Sequence, residues 1–479
     1  MENRRLYKIE CLHMLRTPES ERIKVTALNL FHPTASPLSQ EVTSFILRHN
    51  LRGEREGVKG IGGFAMKIGG ERDLSVNFCG IHFMNPFIIA SAPPATTGEM
   101  MGRAFEAGWA GAITKTLMVN AESLIVNVTP RLSSLSFPGP TNEPKKIYAF
   151  ENIELVTDRS FSVWLKEIEE LRKKYPKNVV IASIMDDASK PDGWQYMAKK
   201  CEEAGAQMIE LNMSCPHGMP ELGMGSAIGQ NAELAATVTR WTSEVVKVPV
   251  MAKMTPNVTD VGLIAKSCEE AGVDAISAIN TVAAIIGVDL ETLVPKPNVA
   301  GYSAHGGLSG PAVKPIALKA VATIAKAVKV PISAIGGISS WEDAAEFLLL
   351  GASTLQVCST VMAHGYGVIE DLLDGLQNYM EDKGFEAISD MVGLSLVKLV
   401  GQTELNREMR LISSVKEEAC VKCDLCYVSC RDAGYQAIKL REDRIPTVDK
   451  EKCTGCSLCQ QVCPVWDCVV MKPQESIRA

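Results

Sequence analysis

The sequence contains no long hydrophobic run, although 46% of its 479 residues are hydrophobic. No stretch reaches the roughly 18 apolar residues that a membrane-spanning helix requires, so we predict that the chain has no membrane contact. The opening segment, MENRRLYKIECLHML, also lacks the apolar core of a secretory signal. We therefore expect a cytoplasmic protein.

Positive charge does not predominate either. The chain has 49 Lys and Arg against 56 Asp and Glu, which gives a formal net charge of -7. This balance argues against a nucleic-acid partner. Residues 1–74 are too short for a nucleotide-binding domain and show no G-x-G-x-x-G fingerprint, so we predict no dinucleotide site there.

Cysteine is abundant, and its distribution divides the chain. Nine of the 15 cysteines lie between Cys420 and Cys468. In a reducing compartment such a cluster indicates metal ligation and not disulfides. We divide the chain into an N-terminal extension (1–74), a catalytic region (75–385), a linker (386–414) and a Cys-rich domain (415–479). The extension contains a predicted amphipathic helix, SPLSQEVTSFILRHN, that we expect to pack on the barrel, with a partner contact as the alternative.

Short apolar runs alternate with longer amphipathic segments throughout the catalytic region. The runs are PFIIASA (86–92), AGAITKT (110–116), VVIASIM (179–185), MIELNMS (208–214), PVMAKMT (249–255), AISAINT (275–281), PISAIGG (331–337) and TLQVCST (354–360). This alternation predicts parallel strands covered by helices. Eight units predict an α/β fold of the (β/α)8 TIM-barrel type, and an open doubly wound sheet is the alternative.

Polar, cationic or glycine residues gather at one end of these runs. They are Ser91, Lys115, Asn212 with Ser214, Lys253, Asn280 with Thr281, Gly336 with Gly337, and Ser359. Because barrel active sites lie at the C-terminal ends of the strands, we predict that these side chains meet there.

The C-terminal domain carries the most specific motif in the sequence. Each of two runs follows C-x2-C-x2-C-x3-C, the spacing of bacterial ferredoxins with two [4Fe–4S] clusters, in which the fourth Cys of each run binds the other cluster. We assign Cys420, Cys423, Cys426 and Cys463 to one cluster, and Cys453, Cys456, Cys459 and Cys430 to the other. A pair of zinc sites is the alternative. Cys468 is predicted to be a spare buried thiol.

Two clusters imply one-electron transfer, so the barrel needs a redox group of its own. A flavin fits, because it exchanges single electrons with iron–sulfur centres and a hydride with an organic substrate. Glycines and hydroxyls after strands seven and eight predict a phosphate site. Lys253 would lie near the pyrimidine edge of the flavin and stabilise its reduced anion.

Several ordered motifs resemble dihydropyrimidine dehydrogenases. These are LNMSCPHGM, AKMTPNVTD, INTV, GGLSGPAVKPIAL, AIGGI and GASTLQVCS in the barrel, and GYQAI and CTGCSLCQQVCPVWDC in the tail. The resemblance covers about residues 75–470, and a more distant one is to dihydroorotate dehydrogenases, which share the FMN barrel.

The resemblance implies specific roles for residues of this chain. FMN would be held by Ser91, Lys115, Thr116, Lys253, Gly310, Ile335, Gly336, Gly337, Cys358 and Ser359. The pyrimidine would be held by Asn152, Asn212, Met213, Ser214, Asn280 and Thr281. Cys215 would be the general acid that protonates C5 of the ring, while a hydride reaches C6. The Gly- and Met-rich segment after it is expected to be a mobile loop, with His217 in a structural role.

The resemblance also implies a partner. The chain resembles a bacterial catalytic subunit that reduces uracil or thymine with electrons from a separate FAD- and NAD(P)H-binding flavoprotein. A homodimer within a heterotetramer is the expected assembly. Two alternatives remain, namely another cyclic amide or dihydroorotate-like substrate with the same cofactors, and an electron-transfer subunit without chemistry of its own.

Overall fold

The computed structural model describes residues 72–119, 121, 125–136, 146–216, 219–220 and 223–474. Almost all of the predicted N-terminal extension, including its amphipathic helix, lies outside these residues. The described chain begins beside the end of the catalytic region, because Arg72 forms an ion pair with Glu386 and Asp73 forms a β-bridge with Ala387.

A short antiparallel hairpin precedes the barrel. Strand β1 (Val76–Phe78) pairs with β2 (Ile81–Phe83). The buried rings of Phe78 and Phe83 meet edge to face, with centroids 6.2 Å apart. The hairpin thereby joins the main hydrophobic core.

Eight parallel strands close into the predicted barrel, and strands are numbered in chain order throughout. They are β3 (Phe87–Ile89), β4 (Gly111–Ile113), β7 (Val179–Ile184), β8 (Met208–Asn212), β9 (Val250–Met254), β10 (Ala275–Ala278), β13 (Ile332–Ile335) and β14 (Ala352–Val357). Each overlaps one predicted apolar run, so the barrel is confirmed and the open sheet is wrong. Six of the eight are buried at every residue, which explains their continuous apolar character.

Helices follow the barrel strands along the chain. They are α1 (Gly98–Glu106), α2 (Phe161–Lys174), α3 (Asp192–Glu203), α4 (Ser226–Gly229), α5 (Ala232–Ser243), α6 (Val261–Glu270), α7 (Lys314–Ala327), α8 (Trp341–Leu349), α9 (Ser359–His364) and α10 (Val368–Lys383). Local signals set their ends: Asp260 caps α6, and Ser340 with Asp343 forms a capping box on α8. No helix of the described residues has both the length and the apolar character needed to cross a bilayer.

A second sheet lies outside the barrel and was not predicted. Its strands are β5 (Leu132–Ser136), β6 (Ile147–Asn152), β11 (Val282–Ala284) and β12 (Gly306–Ser309), in the antiparallel order β11-β12-β6-β5. Two separate loops of the barrel supply them, and Asn152 pairs in register with both Leu132 and Gly307. The sheet thus holds the predicted substrate residue Asn152 in a regular strand.

The C-terminal domain begins after a linker with three short 3-10 turns. It contains β15 (Leu411–Val415), helix α11 (Leu425–Ala433), β16 (Ile438–Leu440), β17 (Pro446–Val448), helix α12 (Leu458–Gln461) and β18 (Val469–Pro473). Strands β15 and β18 pair with each other, and β16 pairs with β17. Each Cys run extends into one helix, and one strand follows it. This is the pattern of a ferredoxin-like fold.

A partly buried ion pair links the middle of α2 to the start of α1. Arg159 donates two hydrogen bonds to Glu167, of 2.7 and 2.5 Å, in a forked geometry. Glu167 also accepts the backbone N–H of Gly98 at 2.8 Å, and Arg159 also donates to the carbonyl of Thr96 at 3.2 Å. One carboxylate therefore fixes the segment that follows the first barrel strand.

We expect Glu167→Gln to lower the free energy of unfolding by about 1–3 kcal/mol, because it weakens several hydrogen bonds of a partly buried group. The matched control is Glu99→Gln, which removes an exposed partner of Arg103 and should change stability by less than about 1 kcal/mol. Urea unfolding followed by circular dichroism measures both, and equal losses would contradict the prediction.

Candidate active site and iron–sulfur domain

One large cleft opens at the C-terminal ends of the barrel strands. It encloses about 1040 Å³, counting the open space at its mouth. Fifteen predicted site residues line it: Ser91, Lys115, Thr116, Asn152, Asn212, Cys215, Lys253, Asn280, Thr281, Gly310, Ile335, Gly336, Gly337, Cys358 and Ser359. Residues far apart in sequence therefore meet at the rim at which barrel enzymes place their sites.

Two predicted substrate residues, Met213 and Ser214, do not line the cleft. Both side chains are fully buried, and Met213 belongs to the hydrophobic core. Ser214 lies behind the cleft wall, where its hydroxyl accepts a hydrogen bond from Asn280 at 2.8 Å and donates one to Asn212 at 3.3 Å. Ser214 thus orients two carboxamides.

A hydrogen-bonded row of small polar side chains crosses the cleft floor. Asn280 donates to the side-chain oxygen of Asn212 at 3.2 Å, and Asn212 donates to the Thr116 hydroxyl at 2.8 Å. That hydroxyl lies 3.2 Å from the hydroxyl of Ser91. Because each carboxamide has two donor hydrogens and two acceptor sites, this row fixes the amide orientations and still leaves hydrogen-bonding capacity for a ligand.

Two buried lysines enter the cleft, and each has a carboxylate partner. Lys115 donates to Glu154 at 2.6 Å, and Arg131 lies 3.2 Å from the other oxygen of that carboxylate. Lys253 lies 3.7 Å from Glu210, whose side chain is fully buried. Neither carboxylate was predicted from the sequence. Glu210 could have been found, because a lone charge inside the apolar run MIELNMS needs a buried partner.

The barrel interior beneath the cleft is also polar. Gln356 donates hydrogen bonds of 2.9 Å to the hydroxyls of Ser277 and Ser333. Its side-chain oxygen is buried at the cleft wall without a hydrogen-bond partner among the described residues. An unpartnered buried acceptor at a cleft wall is typical of a site that a polar ligand completes.

Two glycines after β13 form a wall of the cleft with the loop that precedes α7. Gly336 and Gly337 have φ of +133° and +80°, and a Cβ on Gly337 would lie 2.9 Å from the carbonyl oxygen of Gly310. Only glycine lets these two backbone segments approach so closely. The result is a narrow cradle of backbone next to the first turn of α9, which suits a phosphate group.

The two cysteines that line the cleft have different surroundings. Burial raises the pKa of the Cys358 thiol to about 12, although Lys115 and Lys253 oppose the shift, so Cys358 is a neutral thiol at pH 7. Cys215 follows the end of β8, and its carbonyl accepts the N–H of Ser226 at 2.9 Å. A Cβ on Gly225 would lie 2.7 Å from that carbonyl.

The loop after Cys215 is described only in part, since residues 217–218 and 221–222 lie outside the described residues. His217 is among these, so its role and the mobility of the loop stay predictions. The described remainder includes α4, whose Gly229 packs directly against the carbonyl oxygen of Met213. This contact fixes the far end of the loop against the residue that follows β8.

The eight motif cysteines of the tail surround two separate cavities. Cys420, Cys423, Cys426 and Cys463 line one cavity of about 370 Å³. Cys430, Cys453, Cys456 and Cys459 line another of about 350 Å³. The structure therefore groups the thiols as the spacing predicts, with the fourth Cys of each run at the other cavity.

The arrangement of these thiols differs from that of a single-ion site. Among the described residues, no three His, Cys, Asp or Glu side chains converge on a point that could hold a single metal ion. A cubane is compatible with this spacing, because each of its four irons takes a different thiolate. Single zinc ions would need the tighter tetrahedral arrangement.

Known proteins match both parts of the chain. Residues 73–380 match the family model described as dihydroorotate dehydrogenase, and residues 413–471 match the 4Fe-4S dicluster domain. The chain is 41% identical over 399 residues to the NAD-dependent dihydropyrimidine dehydrogenase subunit PreA of Escherichia coli strain K12, covering 82% of this chain and 94% of that protein. The chain belongs to the dihydropyrimidine dehydrogenase family.

Two further matches agree with this assignment. The chloroplastic dihydropyrimidine dehydrogenase (NADP(+)) of Arabidopsis thaliana is 42% identical over 355 residues, which are 73% of this chain and 83% of that protein. A ligand-free dihydroorotate dehydrogenase structure from Eimeria tenella has a TM-score of 0.56 at 20% identity and covers 68% of this chain and 92% of that one, which supports the fold alone. The predicted family, barrel and ferredoxin-like iron–sulfur domain are confirmed, and the match favours iron–sulfur over zinc.

The Lys253–Glu210 pair generates a prediction about stability. We expect Glu210→Met or Lys253→Met alone to lower the free energy of unfolding by about 3–5 kcal/mol, because each leaves a buried charge without its partner. The double variant should lose much less than the sum of the two. Urea unfolding of the flavin-free protein measures this coupling.

The control for this pair is on the surface. Lys200 and Glu203 form an exposed pair on α3, and the same cycle there should give a coupling below about 1 kcal/mol. Additive losses at Lys253 and Glu210 would show that the two charges do not compensate each other.

Proposed function

We propose that the chain reduces the C5=C6 bond of uracil or thymine, reversibly, to the 5,6-dihydropyrimidine. The barrel cleft would hold FMN and the pyrimidine, and the tail would hold two [4Fe–4S] clusters. One observation carries the proposal: Asn152, Asn212 and Asn280 line the same cleft as Cys215. Three carboxamides beside one thiol suit a flat ring of amide groups that must be protonated on carbon.

The cleft fits FMN by its donor set. The backbone cradle at Gly336 and Gly337 suits the phosphate, and the unpartnered oxygen of Gln356 and the buried ammonium of Lys253 suit the polar edge of the ring system. Ser91, Lys115, Thr116, Gly310, Ile335, Cys358 and Ser359 would complete the site. When bound, FMN would exchange a hydride with the substrate and single electrons with the clusters.

The asparagines would bind the pyrimidine by its amide edges. Asn152 donates to the carbonyl of Gly307 at 3.2 Å and accepts the N–H of Glu154 at 3.3 Å, so its carboxamide plane is fixed. Asn212 and Asn280 are fixed by Ser214 and Thr116, as described above. A ring with alternating N–H and C=O groups can then pair with carboxamides that are already oriented, which lowers the entropic cost of binding.

Cys215 would move the proton. Reduction adds a hydride to C6 and a proton to C5, and the thiol of Cys215 would supply that proton and take it back in the reverse direction. Gly225 and Ser226 hold the Cys215 backbone from the loop side. The loop would therefore set the approach of the thiol and exclude water from the ring.

Charge in the cleft favours a neutral substrate over a dihydroorotate-like acid. Among the described residues that line it, the cations are Lys115 and Lys253. Each already has a carboxylate partner, Glu154 and Glu210 respectively. A substrate carboxylate would meet a region whose charges are already balanced, whereas uracil needs no counter-charge.

Electrons would arrive from a separate protein. Electron delivery through the tail clusters from an FAD- and NAD(P)H-binding flavoprotein is supported by the E. coli relative, whose name makes it a subunit of an NAD-dependent enzyme. We propose a heterotetramer built on a homodimer of this chain, located in the cytoplasm, where thiolates stay reduced.

The test uses the purified, cofactor-loaded chain under anaerobic conditions. Dihydrouracil should bleach the flavin and cluster absorbance, because the pyrimidine chemistry lies in this chain. Absence of bleaching by dihydrouracil and dihydrothymine, with flavin and iron fully loaded, would reject this substrate class. Bleaching by dihydroorotate alone would favour the acid substrate, and bleaching by neither class would favour an electron-transfer subunit.

Replacing the proposed acid should slow the chemistry without emptying the site. We expect Cys215→Ser to lower the rate of flavin bleaching by dihydrouracil by about 10²–10⁴-fold, because in this direction the residue must accept the C5 proton as an anion, and a serine hydroxyl is deprotonated far less readily than a thiol. Flavin content should not change. The control is Cys79→Ser, outside the cleft, whose thiol donates to the carbonyl of Asp274 at 3.3 Å. Full bleaching rates in Cys215→Ser would refute the assignment.

The asparagine row gives a separate prediction. We expect Asn280→Ala to lower kcat/KM for uracil about 10–100-fold, since the loss of its hydrogen bonds costs about 1–3 kcal/mol. The matched control, Asn231→Asp, keeps the cap of α5 and should leave kcat/KM unchanged. Steady-state kinetics with the partner or an artificial reductant measure both, and unchanged kinetics in Asn280→Ala would exclude a role in binding.

A further inference from the structure

The two halves of the tail are related by an internal repeat. Each cysteine of the first run has a counterpart at the same offset in the second, namely Cys420 with Cys453, Cys423 with Cys456, Cys426 with Cys459, and Cys430 with Cys463. The same offset pairs Tyr435 with Cys468, the ninth cysteine of the tail. The repeat is therefore broken at this position, where one half has a thiol and the other a phenol.

This difference lies inside the two cavities. Cys468 lines the cavity of Cys420, Cys423, Cys426 and Cys463, so five thiols surround that cavity. Tyr435 lines the other cavity, where Cys430, Cys453, Cys456 and Cys459 are the cysteines. The first cavity thus has one sulfur more than a cubane requires.

The Cys468 thiol is buried and close to two of the other four. It is 2% exposed, lines the same cavity as Cys420 and Cys463, and donates to the carbonyl of Lys416 at 3.7 Å. Its backbone carbonyl accepts the N–H of Lys416 at 2.8 Å, and β18 begins at the next residue. The thiol is therefore held in place by the β15–β18 pairing, beside the corners that Cys420 and Cys463 would occupy.

We propose that Cys468 is a fifth ligand available to the first cluster, able to bind the iron that Cys420 or Cys463 otherwise binds. The proposal rests on the two-cluster function proposed above. If either ligand were missing, a hydroxide would complete the coordination of that iron. The Cys468 thiol then forms the Fe–S bond, and its proton leaves with the hydroxide as water. No electron is transferred in this exchange, and the cluster keeps four thiolates.

The second cluster has no such reserve and provides an internal control. Tyr435 could offer only a phenolate oxygen, which is a poorer ligand for iron–sulfur clusters than a thiolate. Equivalent substitutions in the two halves should therefore have different effects.

The test measures iron and sulfide in the full chain, purified anaerobically and reconstituted. The wild type should contain about eight irons, for two cubanes. Cys420→Ala and Cys463→Ala should retain about eight. In their counterparts, Cys453→Ala and Cys430→Ala, the iron content should fall about twofold. The iron content should also fall about twofold when Cys468→Ala is combined with Cys420→Ala or with Cys463→Ala. Cys468→Ala alone should not change it.

Each outcome decides the proposal. The proposal is overturned if Cys420→Ala and Cys463→Ala contain as little iron as the double variants that also carry Cys468→Ala. Retention of eight irons by Cys453→Ala or Cys430→Ala also overturns it, because tolerance would then not depend on Cys468. Fewer than about eight irons in the wild type would instead refute the two-cluster part of the proposed function.

Discussion

Closure of a parallel barrel is the constraint on which this molecule depends. In a closed parallel sheet all strands end at the same rim, so residues at or just beyond the ends of several strands line one cleft. Residues as distant as Ser91 on one side and Ser359 on the other become neighbours without any long connecting loop. The chain can then concentrate amide, hydroxyl and ammonium groups at the rim, while most strand residues below it are apolar.

Polar side chains also extend from the rim down into the barrel, and their burial lowers the stability of the fold. Glu210 and Gln356 occupy interior positions that most barrels fill with branched aliphatic side chains. Neither contributes apolar packing, and both have buried oxygens without a hydrogen-bond donor among the described residues. Such groups lower the free energy of unfolding, and a polar ligand that reaches the Gln356 oxygen at the cleft wall would recover part of that loss. Stability and ligand binding are therefore coupled through the same few side chains.

Local patterns predicted much of this structure, whereas long-range pairing escaped prediction. The barrel strands and most cleft residues could be predicted, because each apolar run and its polar end are contiguous. The antiparallel sheet could not be predicted, because β6 pairs with a strand far away in sequence. Asn152 of β6 and Gly307 of β12 are 155 residues apart. Glu154 and the supporting position of Ser214 were missed for the same reason. The role of Glu154 follows from its contact with Lys115, which lies in another segment of the chain. The sequence around Ser214 does not indicate the direction of its side chain.

The pairing of β15 with β18 has a further consequence. The first and last strands of the iron–sulfur domain are neighbours, with Leu411 opposite Pro473, so the chain enters and leaves the domain at one edge. A domain whose two ends meet can be attached at a terminus or inserted within a loop of a host without being stretched. The same unit can therefore be joined to many hosts, and a barrel is one of the combinations that this geometry permits.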